Sequence, residues 1–166
     1  MESDAPHDPD PLSVHGRLHL MVPAHHGGVL IARARVRSCA SRAGLTTEAL
    51  DRLEFVAGEL LTNAVDHGGG RGALDASEWE GGAHMQLWLE CRGQGWRLQV
   101  DDEGGGDPAV LRELMSPIDD VPDLDDERGR GFFLLRSMLD SLRAEGARSG
   151  TGVALIAEVN DPLHPA

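Results

Sequence analysis

Apolar and polar residues alternate from Arg17 to Val22, R-L-H-L-M-V, the period of a strand with one buried face, and Pro23 closes it. His25 to Ala43 then carries Val29, Leu30, Ala32, Ala34, Val36 and Ala40 at helical spacings and stops at Gly44, as a helix ended by a glycine does. A second helix follows, with Thr46 or Thr47 as its cap and Glu48 in its first turn. Leu53, Val56, Ala57, Leu60 and Ala64 form its apolar stripe, and Gly68-Gly69-Gly70 breaks it. Two alternating segments, His84 to Cys91 and Trp96 to Asp102, flank Arg92-Gly93-Gln94-Gly95 and predict a hairpin. Pro108 to Met115 predicts a short helix, since proline suits a first helical turn. Gly129-Arg130-Gly131 introduces a further helix in which Leu134, Leu135, Met138, Leu139 and Leu142 recur at helical spacing, and Val153 to Val159 is the last strand. The order β-α-α-β-β-α-α-β with a hairpin between neighbouring strands predicts an α+β protein, a two-layer sandwich whose mixed, largely antiparallel sheet is covered by helices on one face.

Composition bounds this picture. A chain of 166 residues with 40% hydrophobic content supports one core, so residues 15–160 are expected to be a single domain between an acidic disordered tail at 1–14 and a short tail at 161–166. The acidic, proline-punctuated stretch Ser116 to Glu127 has little to bury and predicts a mobile loop. A formal charge of -13 argues against unpatterned attraction to nucleic acid or anionic lipid and favours a protein partner or a small ligand. Every basic residue is arginine, so no lysine is available as a phosphate clamp or Schiff base. Cys39 and Cys91 form no C-x-x-C pair and are expected to be reduced thiols in or near the core. No apolar run approaches a membrane span and Met1 to Asp10 has no signal-peptide character, so a cytoplasmic protein is expected. His25 and His26 are adjacent, point apart on a helix, and are expected to be solvent-exposed.

Three segments carry candidate chemistry. Glu59 and Asn63 lie a turn apart along one flank of the second helix's apolar stripe, so a carboxylate and a carboxamide can reach one bound group. Such an oxygen pair suits Mg²⁺, which keeps several waters and binds through one or two protein groups plus substrate phosphates. In Val100-Asp101-Asp102-Glu103-Gly104-Gly105-Gly106 a strand runs into three glycines: a carboxylate there can accept from an exocyclic amine, and glycine lets backbone approach a ligand closely. In Glu127-Arg128-Gly129-Arg130-Gly131-Phe132 a glycine pair opens a helix, whose free N–H groups and positive dipole end form a phosphate seat. Taken singly, these also fit a solvated helix edge, an acidic turn and an ordinary helix start.

In this order and spacing, however, the three resemble the N box (E-L-L-T-N-A-V-D-H), the G1 box (D-E-G-G-G) and the G2 box (G-R-G-F) of the GHKL ATPases, the Bergerat ATP-binding fold, over about residues 17 to 159. The small size and the phrases E-L-L-T-N-A-V-D-H-G-G and E-R-G-R-G look most like the bacterial anti-sigma-factor serine/threonine protein kinases. The resemblance implies ATP and Mg²⁺ as cofactors. Glu59 is then the general base, Asn63 the Mg²⁺ ligand, Asp102 the partner of the adenine amine, and Gly104 and Gly106 the lining of the base pocket. Gly129 and Gly131 hold phosphates, Arg130 adds charge, and Thr151 is similar in place to the family threonine that supports the adenine contact through water. Phe132 stands where the family usually has leucine and Gly105 where proline is usual, and the lid at Ser116 to Arg128 is divergent. His67 fits the pattern at the helix end, where a histidine caps carbonyls, and is assigned no catalysis. The function implied is phosphorylation of a serine or threonine on an anti-anti-sigma partner of STAS type, with a sigma factor as a second partner and homodimers as the usual assembly. The alternative is a non-catalytic module, nucleotide-binding or nucleotide-independent, that sequesters a sigma factor or another regulatory protein. A sensor histidine kinase or a gyrase-type ATPase fits less well, each needing further segments.

Overall fold

The computed structural model describes residues 13–14, 16–80, 82–115 and 127–162. Among these residues six strands form one sheet: β1 (Ser13–Val14), β2 (Arg17–Pro23), β3 (His84–Arg92), β4 (Gly95–Asp101), β5 (Ser141–Gly146) and β6 (Val153–Val159), in the spatial order β1-β2-β3-β4-β6-β5. Helices α1 (His26–Arg42), α2 (Thr47–His67), α3 (Pro108–Leu114) and α4 (Glu127–Met138) complete the chain order.

The alternation read from the sequence sets the sheet's inner face. Register places Leu18 opposite Leu89, Leu89 opposite Leu98 and Leu98 opposite Ala157, with Leu20, Leu87, Val100 and Leu155 forming the next row, and all of these are buried. A side-chain period of two means that a slip by one residue would turn both rows into water. Onto this face α2 lays its stripe, in which Leu53, Val56, Ala57, Leu60 and Leu61 are fully buried. Thr46 starts α2 by accepting the Ala49 N–H at 3.3 Å. α1 runs against α2 and comes so close to the end of β2 that a Cβ on Gly28 would overlap the Pro23 carbonyl oxygen. Only glycine fits there.

Several expectations change. Every strand pairing among the described residues is antiparallel, so the sheet is not mixed. The last helix ends at Met138, and Leu142 lies on β5 opposite Ala157. The leucine spacing there fits both periods over so short a span, and the free edge of β6 decides it. Within α4 the inward residues are Phe132 and Leu135, whereas Leu134 is 46% exposed. Ser13–Val14, read as tail, pairs with β2, while the rest of that tail, the acidic loop at 116–126 and residues 163–166 lie outside the described residues. His25 is buried: its Nδ1 accepts the Gly28 N–H at 3.0 Å and caps α1, while His26 Nε2 stands 3.0 Å from Asp66 Oδ1. Among the described residues no helix is long and apolar enough to cross a membrane.

Candidate functional site

Helix α2 and the end of β4 bound a cavity of about 140 Å³ between helices and sheet. Asn63 lines it from α2, Asp102 and Gly106 from the segment after β4, and Phe132 from α4. Much of the remaining wall is apolar, with Leu60, Ala64, Val100 and Leu155 facing in. A whole drug-sized ligand needs about 300–1,000 Å³. The space therefore suits one flat ring system, with any larger polar extension lying outside it.

Asp102 is the most constrained residue here. Its Oδ1 accepts the Gly104 N–H at 3.0 Å and the Val153 N–H at 3.1 Å, and its own N–H donates to the Val153 carbonyl at 3.0 Å. Among the described residues those side-chain bonds use Oδ1, which leaves Oδ2 as an acceptor for a ligand N–H. Burial pushes the Asp102 carboxyl above the ordinary carboxylate range, against the opposing pull of the Val153 and Gly104 N–H groups. Glycine surrounds it. A Cβ on Gly68 would stand 2.5 Å from Asp102 Cβ, one on Gly104 would stand 2.5 Å from the Gly68 carbonyl carbon, and one on Gly152 would meet the Asp102 carbonyl oxygen. Three glycines thus let the end of α2, the end of β4 and the start of β6 converge on one carboxylate.

Glu59, half-buried one turn before Asn63, is not among the cavity's lining residues; it faces the start of α4, where a Cβ on Gly131 would stand 3.6 Å from Glu59 Oε2. The helix begins at Glu127, so Gly129 falls in its first turn and Gly131 just past it, not at the junction the sequence was read to put there. The cost of a glycine within a helix, about 1 kcal/mol, is tolerated. The side chain of Arg130 lies outside the described residues. Gly104 is buried against Gly68. Thr151 is exposed in the turn before β6 and is not brought to the cavity; the neighbouring Gly152 and Val153 make the contact with Asp102 instead.

Other cavity residues were given no binding role by any local pattern. His67 lines the cavity as well as ending α2, and Asp107, whose side chain accepts the Ala109 N–H at 2.8 Å to cap α3, brings Val110 and Leu111 to the wall. The run of glycines at 68–70 was legible as a helix breaker and, at 68–69, as the end of the family phrase, but not as packing around Asp102.

For a divalent cation, Asn63 and Glu59 supply hard oxygens on one helix flank. Among the described residues no group of three His, Cys, Asp or Glu side chains could hold a metal unaided, so an ion here would take its other ligands from phosphate and water.

Residues 22–158 match the histidine kinase-like ATPase domain family. The chain is 30% identical over 141 residues to the serine-protein kinase RsbW of Halalkalibacterium halodurans, an alignment covering 83% of this chain and 79% of that protein. It is 28% identical over 125 residues to the anti-sigma F factor of Clostridium acetobutylicum, covering 75% and 80%. Among solved structures, a chain in the crystal structure of the SiaB–SiaC complex from Pseudomonas aeruginosa superposes with a TM-score of 0.63 at 12% identity, covering 87% of this chain and 90% of that one, a likeness of fold.

Proposed function

Because the chain belongs to the histidine kinase-like ATPase domain family, we propose that it is an ATP-dependent regulator of the anti-sigma type, which phosphorylates a serine or threonine of an anti-anti-sigma partner. The relatives named as a serine-protein kinase and an anti-sigma factor support this reading. The observation that carries it is the convergence of Asn63 and Asp102, distant in sequence, on one largely apolar cavity of a size that suits a flat base.

Asp102 accepts the adenine amine at Oδ2 while Oδ1 stays bound to Gly104 and Val153. Gly106 lets the ring lie against backbone, and Leu60, Val100 and Leu155 exclude water from its faces. The phosphates leave past Asn63 toward the first turn of α4, where the free N–H groups up to Gly129 receive them, Gly131 lets them approach without a side chain in the way, and Arg130 adds charge. Mg²⁺, when bound through Asn63, neutralises phosphate charge and holds the γ-phosphoryl group in place. Glu59 takes the proton from the partner's hydroxyl as its oxygen bonds to the γ-phosphorus, and the bond from that phosphorus to the β–γ bridging oxygen breaks to release ADP. The setting is the cytoplasm, where ATP and sigma factors meet.

The test is transfer of label from [γ-³²P]ATP to a STAS-type partner by the parent and by Glu59→Gln. Labelled partner with the parent and none with the variant, at equal ATP affinity, is expected. Tight ATP binding with no labelling by either protein would instead favour the sequestering module, and absence of ATP binding would refute the site.

A further inference from the structure

We infer that Arg148 is a positioning residue for Asp102, acting from the opposite face of the sheet through the turn at 147–152; this rests on the nucleotide reading of the cavity. Asp101 and Asp102 are neighbours that serve opposite faces. Asp102 lines the cavity, whereas Asp101, 4% exposed, lies on the face away from the helices. On that face the register aligns His19, Trp88 and Gln99 in one row. The His19 and Trp88 rings stack with centroids 4.8 Å apart and planes 9° from parallel.

Arg148 closes over this row. Its guanidinium carbon sits 4.5 Å from the Trp88 ring centroid, and Nη2 donates to Gln99 Oε1 at 3.4 Å. Gln99 Nε2 donates to Asp101 Oδ1 at 2.7 Å, and the main-chain N–H of Arg148 donates to Asp101 Oδ2 at 2.9 Å. Both ends of an exposed arginine are thereby fastened to β4. The same turn, closed by the Ala147 N–H on the Gly152 carbonyl at 3.2 Å, delivers at its far end the Val153 N–H that holds Asp102 Oδ1. Gly152 lies so close that a Cβ there would be 2.5 Å from Oδ1. One end of the turn is anchored on Asp101, then, and the other sets where Asp102 points. Loosening the anchor lets Val153 and Gly152 shift, and the acceptor aimed into the cavity shifts with them.

The test compares the parent, Arg148→Ala and Arg143→Ala, the last removing an arginine of the same face that pairs with Glu158 at 3.2 Å and touches none of this network. Amide hydrogen exchange at Val153 and Gly104, read without nucleotide, is expected to speed about two- to fivefold in Arg148→Ala, the loss of a cation–π contact at an exposed site. ATP affinity is expected to fall by a similar factor while GTP affinity, which gains nothing from an acceptor at Asp102, holds, and Arg143→Ala changes neither. A purely structural role would lower both nucleotides alike; that result, or unchanged exchange at Val153 and Gly104, overturns the inference. Should the parent bind neither nucleotide, the reading of the cavity fails, and the exchange rates alone decide whether Arg148 holds Asp102. Arg148→Gln, which keeps part of the aliphatic stem but not the guanidinium, replaces Arg148→Ala if that variant does not fold.

Discussion

Gly68→Ala probes the packing around Asp102 with little strain in the native backbone. Gly68 has φ -103, which alanine adopts freely, so no conformational strain enters. The new methyl would stand 2.5 Å from Asp102 Cβ and 2.6 Å from its Cγ and Oδ2. Carbon atoms meet at about 3.5 Å, so the carboxylate must move by nearly an ångström. Forced overpacking of this kind costs about 1–3 kcal/mol. Moving Oδ1 also forfeits one of its two N–H bonds, and a hydrogen bond to a charged group is worth about 1.5–3 kcal/mol. Some of this is recovered by relaxation, so the expected destabilisation is about 2–4 kcal/mol, or a Tm lowered by roughly 10 °C. ATP affinity should fall by at least about tenfold, the equivalent of one charged hydrogen bond at the low end of its range. Gly44→Ala is the matched control: nothing lies within 4 Å of the new methyl, but φ is +87, so it should cost about 1–2 kcal/mol of backbone strain and leave nucleotide affinity alone. Urea denaturation and calorimetry on both variants read the two quantities separately. A Gly68→Ala protein melting within about 1 °C of the parent with unchanged ATP affinity would refute the reasoning, because a clash of that size could then not exist.

Three further outcomes are expected. Burial raises the Asp102 carboxyl in the folded state, so between its unfolded and folded pKa values the native protein binds the extra proton and stability from this group falls as pH rises through that window. ATP affinity should run the other way, weakening as acidification protonates the acceptor, and Asp102→Asn should abolish both dependences in thermal melts and calorimetry across pH. Leu60→Ala removes a fully buried side chain at the cavity wall and should cost about 2–5 kcal/mol in urea denaturation; a loss under about 1 kcal/mol would mean that α2 is not packed as described. Burial pushes the Cys91 thiol up to about 12 from 9.0, which lowers its thiolate fraction at pH 8 about a thousandfold, so iodoacetamide should label it slowly in the native protein and rapidly in urea.

Local pattern was enough for β2, β3 and β4, because each carries its own alternation, for β6, a short apolar run, and for α2, whose stripe and cap lie within one segment. The chemical candidates were legible for a similar reason: Glu59 and Asn63 share a helix flank by spacing alone, and Asp102 ends a strand against glycines. What lay outside any window was decided by partners far away in the chain. Leu142 belongs to a strand because β6 offers it a free edge, and His25 is buried because the start of α1 needs a cap. Asp102 is held by residues from the end of α2, the loop after β4 and the start of β6, and Arg148 acquires a task only where the sheet brings Trp88 and Asp101 beneath it. A sequence records which groups are available and their local period; the energy of a clash, a desolvated carboxylate or a shared turn exists only once distant segments are packed together.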